Sequence, residues 1–311
     1  MENPDSVTEF QYAPKRTLGE RVLAVCGGND APFAVSALRS FQQILLTCMA
    51  IEAWNGAHQG AADPLFTAHL AAAFVLTMAA GISFSASMGR AACAAGLVAT
   101  AFEWFSMLPL SANHHYLAML CLGLLLLPSR NRSQTAVDEA VITLRALRWV
   151  AVIGLAAAGL QKLMFGYWFK GEALAYAISQ RESFATLLGI WLPSEEVQRL
   201  SSLQVGLGVG PFRVQSWWLI AISNLTWLSE ILFAIFLIVP RSRCVTVLLT
   251  LAFLVLVQLG AREIFFGGLM AGLVTLAWPG NLLRRLLPLF LIFYGYVLAT
   301  LLELVPHWSF T

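Results

Sequence analysis

Charge is what this chain has least of. Only 12% of its 311 residues are Asp, Glu, Lys or Arg, where a soluble domain carries about a quarter. With 59% hydrophobic residues and a mean hydropathy of +0.73, that scarcity excludes an ordinary soluble globule and points to a polytopic membrane protein. Patterned cysteine is lacking as well. Cys26, Cys48, Cys93, Cys121 and Cys244 stand singly, mostly in or beside apolar runs. They form no CxxC and no metal spacing, and an odd, dispersed set does not build a disulfide framework, so packing is the expected role. No P-loop, no GxGxxG, no internal repeat and no low-complexity tract is present. Nucleotide-driven chemistry and nucleic-acid binding are therefore not expected. The lack of an inverted repeat and of paired Gly/Pro-broken spans argues against a small-solute transporter. Residues 1–32 are polar and include acids, which predicts a cytoplasmic segment rather than a cleavable signal peptide.

What the chain does have is apolar runs. About nine read as spans, near Phe33–Trp54, Leu65–Met88, Ala91–Leu110, His115–Pro128, Leu147–Phe165, Trp218–Val239, Cys244–Gly260, Ile264–Trp278 and Leu286–Val305. The fourth and eighth are shorter than the ~20 residues a crossing needs, so each is tilted differently, extended at its ends or re-entrant. The predicted fold is all-α, a transmembrane helical bundle over residues 33–305, followed by a short tail at 306–311. With the N-terminus placed in the cytoplasm, 13 of the 19 Lys and Arg residues fall on the inner side, among them Arg90, Arg148, Arg243 and Arg284, and 6 on the outer. The positive-inside rule then gives an N-in, C-out multi-pass protein. The longest connection, about 166–215, lies outside in this scheme. Within it Ala173–Leu192 predicts one amphipathic interfacial helix, and Gly206-Leu-Gly-Val-Gly-Pro-Phe predicts a loop. The inner stretch Ser129–Glu139 predicts a solvated linker.

Polar residues inside the spans are few. Lys162 lies near the end of about fifteen nearly uncharged residues, where an ammonium costs free energy, roughly 2.5–3.5 kcal/mol at mid-helix and less near an end. Such a group is paired, snorkelled to the interface or put to use, and a desolvated lysine can serve as a neutral base. Glu103 lies ~10 Å below the outer end of its span, and Glu230 lies nearer the middle of its own. Both fit either structural pairing with a neighbouring helix or a proton role. Asn113, His114, His115 and Tyr116 form an outer turn. Two adjacent histidines are not expected to face one helical site, and no metal is predicted. Glu52, Trp54 and His58 end the first span, and Gln258, Arg262 and Glu263 end the seventh. The polar groups converge on one leaflet, the pattern of a pocket open to the outer side.

Two segments add a resemblance. Asn113-His114-His115-Tyr116-Leu117 resembles the Asn-His-x-Tyr-Leu segment of the vitamin K-dependent γ-glutamyl carboxylase family. Ala158-Gly159-Leu160-Gln161-Lys162-Leu163, followed by Trp168 and Gly171, resembles that family's Ala-Gly-x-x-Lys-Leu…Trp…Gly segment. Leu228-Ser229-Glu230-Ile231-Leu232, with Pro240-Arg241-Ser242-Arg243 after it, is a weaker third match. The resemblance spans about residues 34–300, the HTTM (horizontally transferred transmembrane) domain that the carboxylase shares with many bacterial membrane proteins. It implies that Lys162 is the base that deprotonates a vitamin K-type or other lipid hydroquinone, and that the oxygenated quinone then removes a glutamate γ-proton. Asn113 and His114 would stand near the quinone and the reacting centre, with Tyr116, Trp168, Glu103 and Glu230 as further ligand-contacting candidates. The implied partners are the lipid bilayer and a secreted peptide or protein, and the implied location is a bacterial inner membrane. A non-catalytic HTTM protein for peptide maturation, immunity or assembly is the alternative.

Overall fold

A computed structural model of the chain describes residues 30–59, 65–85, 88–108, 113–127, 136–202 and 214–304. The all-helical expectation holds: the described residues form twelve helices and no strand. They are α1 Ala31–Gln59, α2 Phe66–Ile82, α3 Gly89–Ser106, α4 Asn113–Leu126, α5 Ala136–Phe165, α6 Glu172–Gln180, α7 Glu182–Leu188, α8 Ser194–Ser201, α9 Trp217–Ile238, α10 Arg243–Ala261, α11 Ile264–Thr275 and α12 Leu282–Leu301. Helices occupy all nine apolar segments. Five of them (α1, α5, α9, α10 and α12) are long and apolar enough to cross a membrane. α2, α4 and α11 are apolar but shorter. At 14 and 12 residues, α4 and α11 reach only about 21 and 18 Å at 1.5 Å per residue.

Burial separates an inner from an outer ring. α1 is the hub: Phe41, Ile44, Leu45 and Leu46 are fully buried against a core that includes Leu76, Leu122, Leu147, Leu269 and Tyr294. α9, α10 and α12 instead expose large apolar side chains such as Leu225, Val255 and Ile292. Helices apolar all round are stable only where the surroundings are apolar as well. The architecture is that of an integral membrane protein with several apolar spans.

Three expectations are corrected. Ser129–Glu139 is not wholly a linker, because α5 begins at Ala136; residues 129–135 lie outside the described residues. Asp138 and Glu139 in its first turn favour the positive end of the helix dipole, and Arg90 donates to Glu139 at 2.9 Å. The outer segment is not one helix either. Arg181 is extended (φ −136°, ψ 118°) and divides α6 from α7, and α8 follows after Pro193. These short helices fold around their own small core of Leu174, Ile178, Leu188, Leu192 and Leu200, closed by Leu219 of α9. Ser183 of α7 donates to the Gly260 carbonyl at 2.7 Å, tying this cap to the end of α10. In α8, hydrogen bonds from Arg199 at 2.8 and 2.9 Å hold the Glu196 carboxyl below the usual carboxylate range. The glycine-rich 206–212 stretch lies outside the described residues.

Finally, two of the inner-side arginines are not loop charges. Arg148 is 4% exposed and makes a bidentate pair with Asp30 at 2.7 and 3.0 Å, and its Nε donates to the Leu276 carbonyl at 2.6 Å. Arg243 is also buried and donates to the Leu237 carbonyl at 3.2 Å. A planar guanidinium with five donors can satisfy a carboxylate and a carbonyl at once, which makes arginine the cation best suited to burial.

Candidate functional site

Lys162 is positioned by a close helix approach. Gly159, three residues earlier on α5, lies so near α9 that a Cβ there would sit 2.6 Å from Ile231 Cγ1 and 2.9 Å from the Trp227 carbonyl oxygen. Residues three apart share a helix face, so Lys162 meets the same stretch of α9. Its Nζ lies 2.6 and 2.7 Å from the two carboxylate oxygens of Glu230. Of the three fates open to this lysine, the structure has the paired one. The Lys162 side chain stays 22% exposed and that of Glu230 10%.

The turn after α5 supplies the next wall. Gly166 and Gly171 both have positive φ, 76° and 74°, which glycine adopts without strain. Ser223 Oγ donates to the Trp168 carbonyl at 2.6 Å and Asn224 Nδ2 to that of Phe169 at 3.0 Å, so α9 pins the turn. Trp168 thereby presents its ring 5.2 Å from Lys162 Nζ, within cation–π range. Beneath them is a cavity of about 360 Å³ between α5, α9, α10 and α11. Its polar lining is Gln161, Lys162, Glu230, Gln258 and Glu263, and its apolar lining includes Phe165, Phe253, Phe266 and Met270. An apolar recess with a few converging polar groups is the ordinary form of a small-molecule site. The pair is net neutral whether the proton sits on nitrogen or on oxygen, so a low dielectric tolerates both forms. The site can therefore give or accept one proton.

A second polar cluster lies on the other side of α11. His114 Nε2 contacts Glu52 Oε1. His115 Nε2 lies 3.7 Å from Glu52 Oε1 and 3.7 Å from Glu103 Oε2. His69 Nδ1 is 2.7 Å from Glu103 Oε1, and Gly56 makes room for it, since a Cβ there would meet that ring at 2.6 Å. Both adjacent histidines thus reach one group of carboxylates, contrary to the expectation from helix geometry. Carboxylates from two helices, α1 and α3, flank the start of α4 and bridge the angular offset between successive residues.

The candidates from sequence therefore divide. Lys162, Trp168 and Glu230 line one cavity. His114 and Glu103 belong to the second cluster, with Phe265 of α11 6.4 Å from His114 between ring centroids. Tyr116 is 49% exposed and packs edge-on against Trp104 at 5.1 Å. Asn113 opens α4, and its side chain lies outside the described residues. Sequence reasoning did not select Gln258 and Glu263 for the cavity or Glu52, His69 and His115 for the cluster. A signal existed for four of these, as polar residues at span ends or in the Asn113–Tyr116 turn; His69, a lone histidine early in an apolar helix, gave the weakest one. Comparison with known proteins gives no matching family model, no matching curated protein and no matching solved structure.

Proposed function

We propose that the chain is a multi-pass membrane enzyme of carboxylase-like chemistry that takes a lipid hydroquinone into the Lys162 cavity and uses Lys162 as the base. The observation that carries the reading is the Lys162–Glu230 pair, 2.6 Å apart, in the wall of a cavity lined mainly by aromatic and aliphatic side chains, with Gln161, Gln258 and Glu263 as its other polar groups. Lys162 hands one proton to Glu230, and the freed amine accepts the hydroquinone O–H proton. The quinol oxygen becomes an oxyanion while the Lys162–Glu230 pair gains the one positive charge that balances it. Trp168 supports the ring by stacking, and Gln161 and Gln258 hydrogen-bond its oxygens. A secreted peptide is the acceptor in this reading, and the sequence resemblance is its support. That resemblance adds Asn113 and His114 near the reacting centre. The geometry supports Lys162, Trp168 and Glu230 and leaves His114 with Glu52. The proposed setting is a bacterial inner membrane, with nine helices crossing or dipping into the bilayer, the N-terminus inside, and the cavity and cap outside.

The test is binding and oxidation of a short-chain naphthohydroquinone by detergent-purified protein. Lys162→Met removes the base and keeps most of the volume. Binding is expected to persist while aerobic turnover falls by about 10²–10⁴, the span usual for one general base. Unchanged turnover in the variant overturns the assignment. A second reading, a purely structural ion pair, is favoured by the bidentate contact. It predicts that a Lys162→Met, Glu230→Met double variant is as stable as the parent or more so, and that the parent binds no hydroquinone.

A further inference from the structure

The cluster across α11 has a different chemistry from the cavity. We propose that Glu52, Glu103, His114 and His115 bind one divalent transition-metal ion of the zinc class, with His69 holding Glu103 from behind. This goes beyond the hydroquinone reading and does not depend on it.

Four observations converge. The first is spacing. Ligand atoms of Glu52, His114 and His115 lie within 4.8 Å of one another, and His115 Nε2 is 3.7 Å from one oxygen of each carboxylate. Donors around a tetrahedral ion with bonds of about 2.0–2.1 Å stand roughly 3.4 Å apart, so small side-chain adjustments bring Glu52, His114 and His115 onto one ion. Glu103, which is outside that 4.8 Å group but 3.7 Å from His115, turns further to supply the fourth donor. The second is charge. Glu52 and Glu103 pair only with histidines, and no lysine or arginine reaches either one among the described residues. Two carboxylates in a dry bundle need two compensating charges. One divalent cation with two neutral imidazoles makes the assembly neutral. The third is an unmet acceptor. Glu103 is 1% exposed, and the nearest partner of its Oε2 is His115 Nε2 at 3.7 Å, beyond ordinary hydrogen-bond length; Glu52 Oε2 is likewise buried with no hydrogen bond. A buried carboxylate oxygen aimed into a cluster with no donor at hydrogen-bond length marks a place where a ligand belongs. The fourth is the outer layer: His69 fixes Glu103 through Oε1 at 2.7 Å and leaves Oε2 free to ligate, the arrangement by which partners behind a metal orient its ligands.

The donor set selects the ion. Calcium and magnesium take oxygen ligands, and two imidazoles with two carboxylates suit zinc, cobalt(II) or iron(II) instead. Four protein donors fill a tetrahedral shell, which is the form of a structural site. An entry path exists, because the His114 and Glu52 side chains are 17% and 11% exposed.

The experiment uses full-length protein purified without a histidine tag, stripped with chelator and titrated with Zn²⁺ and with Co²⁺. The expected result is saturation near one equivalent, intense tetrahedral cobalt d–d bands, and a melting temperature that rises with the ion. Glu52→Gln and His114→Gln should abolish the bands. His69→Gln, which leaves all four donors in place and is the variant most certain to fold, should weaken binding about 10–100-fold. His58→Gln, at the exposed end of α1, the helix that carries Glu52, should change nothing. The proposal is overturned if monodisperse parent protein shows no saturable binding, or if Glu52→Gln and His114→Gln bind as the parent does.

Discussion

Arg148 and Lys162 are two cations on the same helix, and each meets a carboxylate, but the two pairs are built for different ends. Arg148 is sealed: two bonds to Asp30 and one to the Leu276 carbonyl leave it 4% exposed. Lys162 is left open to a cavity, with a fifth of its side chain accessible. Asp30→Asn should therefore be a stability lesion, since it strands a buried guanidinium. The expected loss is about 3–5 kcal/mol, typical of breaking one side of a buried pair, and it is read as a lower melting temperature in detergent with hydroquinone binding retained by the folded fraction. Lys162 was legible in the sequence because one charge in an apolar run is conspicuous. Its partner was not, because Glu230 is 68 residues away and sequence order alone does not say which helix faces α5. The same holds for His69 with Glu103 and for His114 with Glu52, separated by 34 and 62 residues. Residue type signals a buried polar group, and only packing names its neighbour.

At the scale of elements, Gly159 decides how α5 and α9 meet. Gly159→Ala drives a Cβ against backbone as well as side chain, at 2.9 Å from the Trp227 carbonyl oxygen and 3.2 Å from the Ile231 nitrogen, so the helices must part. The expected cost is about 1–3 kcal/mol, as for other overpacked contacts. Because Lys162 and Glu230 lie on the same seam, hydroquinone binding should weaken along with stability. Gly295→Ala, on α12 and away from the cavity, is the control: a Cβ there meets nothing within 4 Å, and melting and ligand titration should both stay near the parent. Equal behaviour of the two variants would show that the α5–α9 distance does not set the cavity. Element existence was readable from hydropathy in all nine apolar segments, because long apolar runs leave no other way to satisfy the backbone in a membrane. Element ends were not. α5 runs on past its apolar part to Ala136 through a stretch that holds the good helix formers Glu139, Ala140, Leu144, Arg145 and Ala146. The outer helix breaks at Arg181, where no glycine or proline marks the sequence.

Across the whole molecule the two ends of the bundle carry different chemistry. One end gathers the start of α1, the end of α11 and the start of α12: Arg148 ties Asp30 to Leu276, and Asn281 donates to Ser36 at 3.0 Å. Arg90 and Glu139, at the starts of α3 and α5, join the same end. The other end gathers the last turns of α1, α3, α5 and α10 with the first turns of α2, α4 and α11. It holds His69, Glu103, Glu52, His114, Lys162 and the Gln258–Glu263 corner. Lys and Arg are more numerous at the first end, the asymmetry from which the positive-inside rule would put that end in the cytoplasm. The burial of Arg148 and Arg243 removes two residues from that charge tally but reverses nothing, because Arg90, Arg284 and Arg285 stay on the same side. Orientation can therefore be tested at two exposed residues, His58 in the last turn of the hub helix and Arg284 at the start of α12. With Cys26 and Cys244 replaced by serine, and Cys48, Cys93 and Cys121 buried, His58→Cys should react with a membrane-impermeant maleimide in intact cells. Arg284→Cys should react only after lysis. Reversed labelling would place Lys162 and its cavity on the cytoplasmic side, where a secreted peptide never arrives. The hydroquinone site would then have to serve a cytoplasmic acceptor, while the metal cluster, which depends only on the packing of α1 to α4, would stand unchanged.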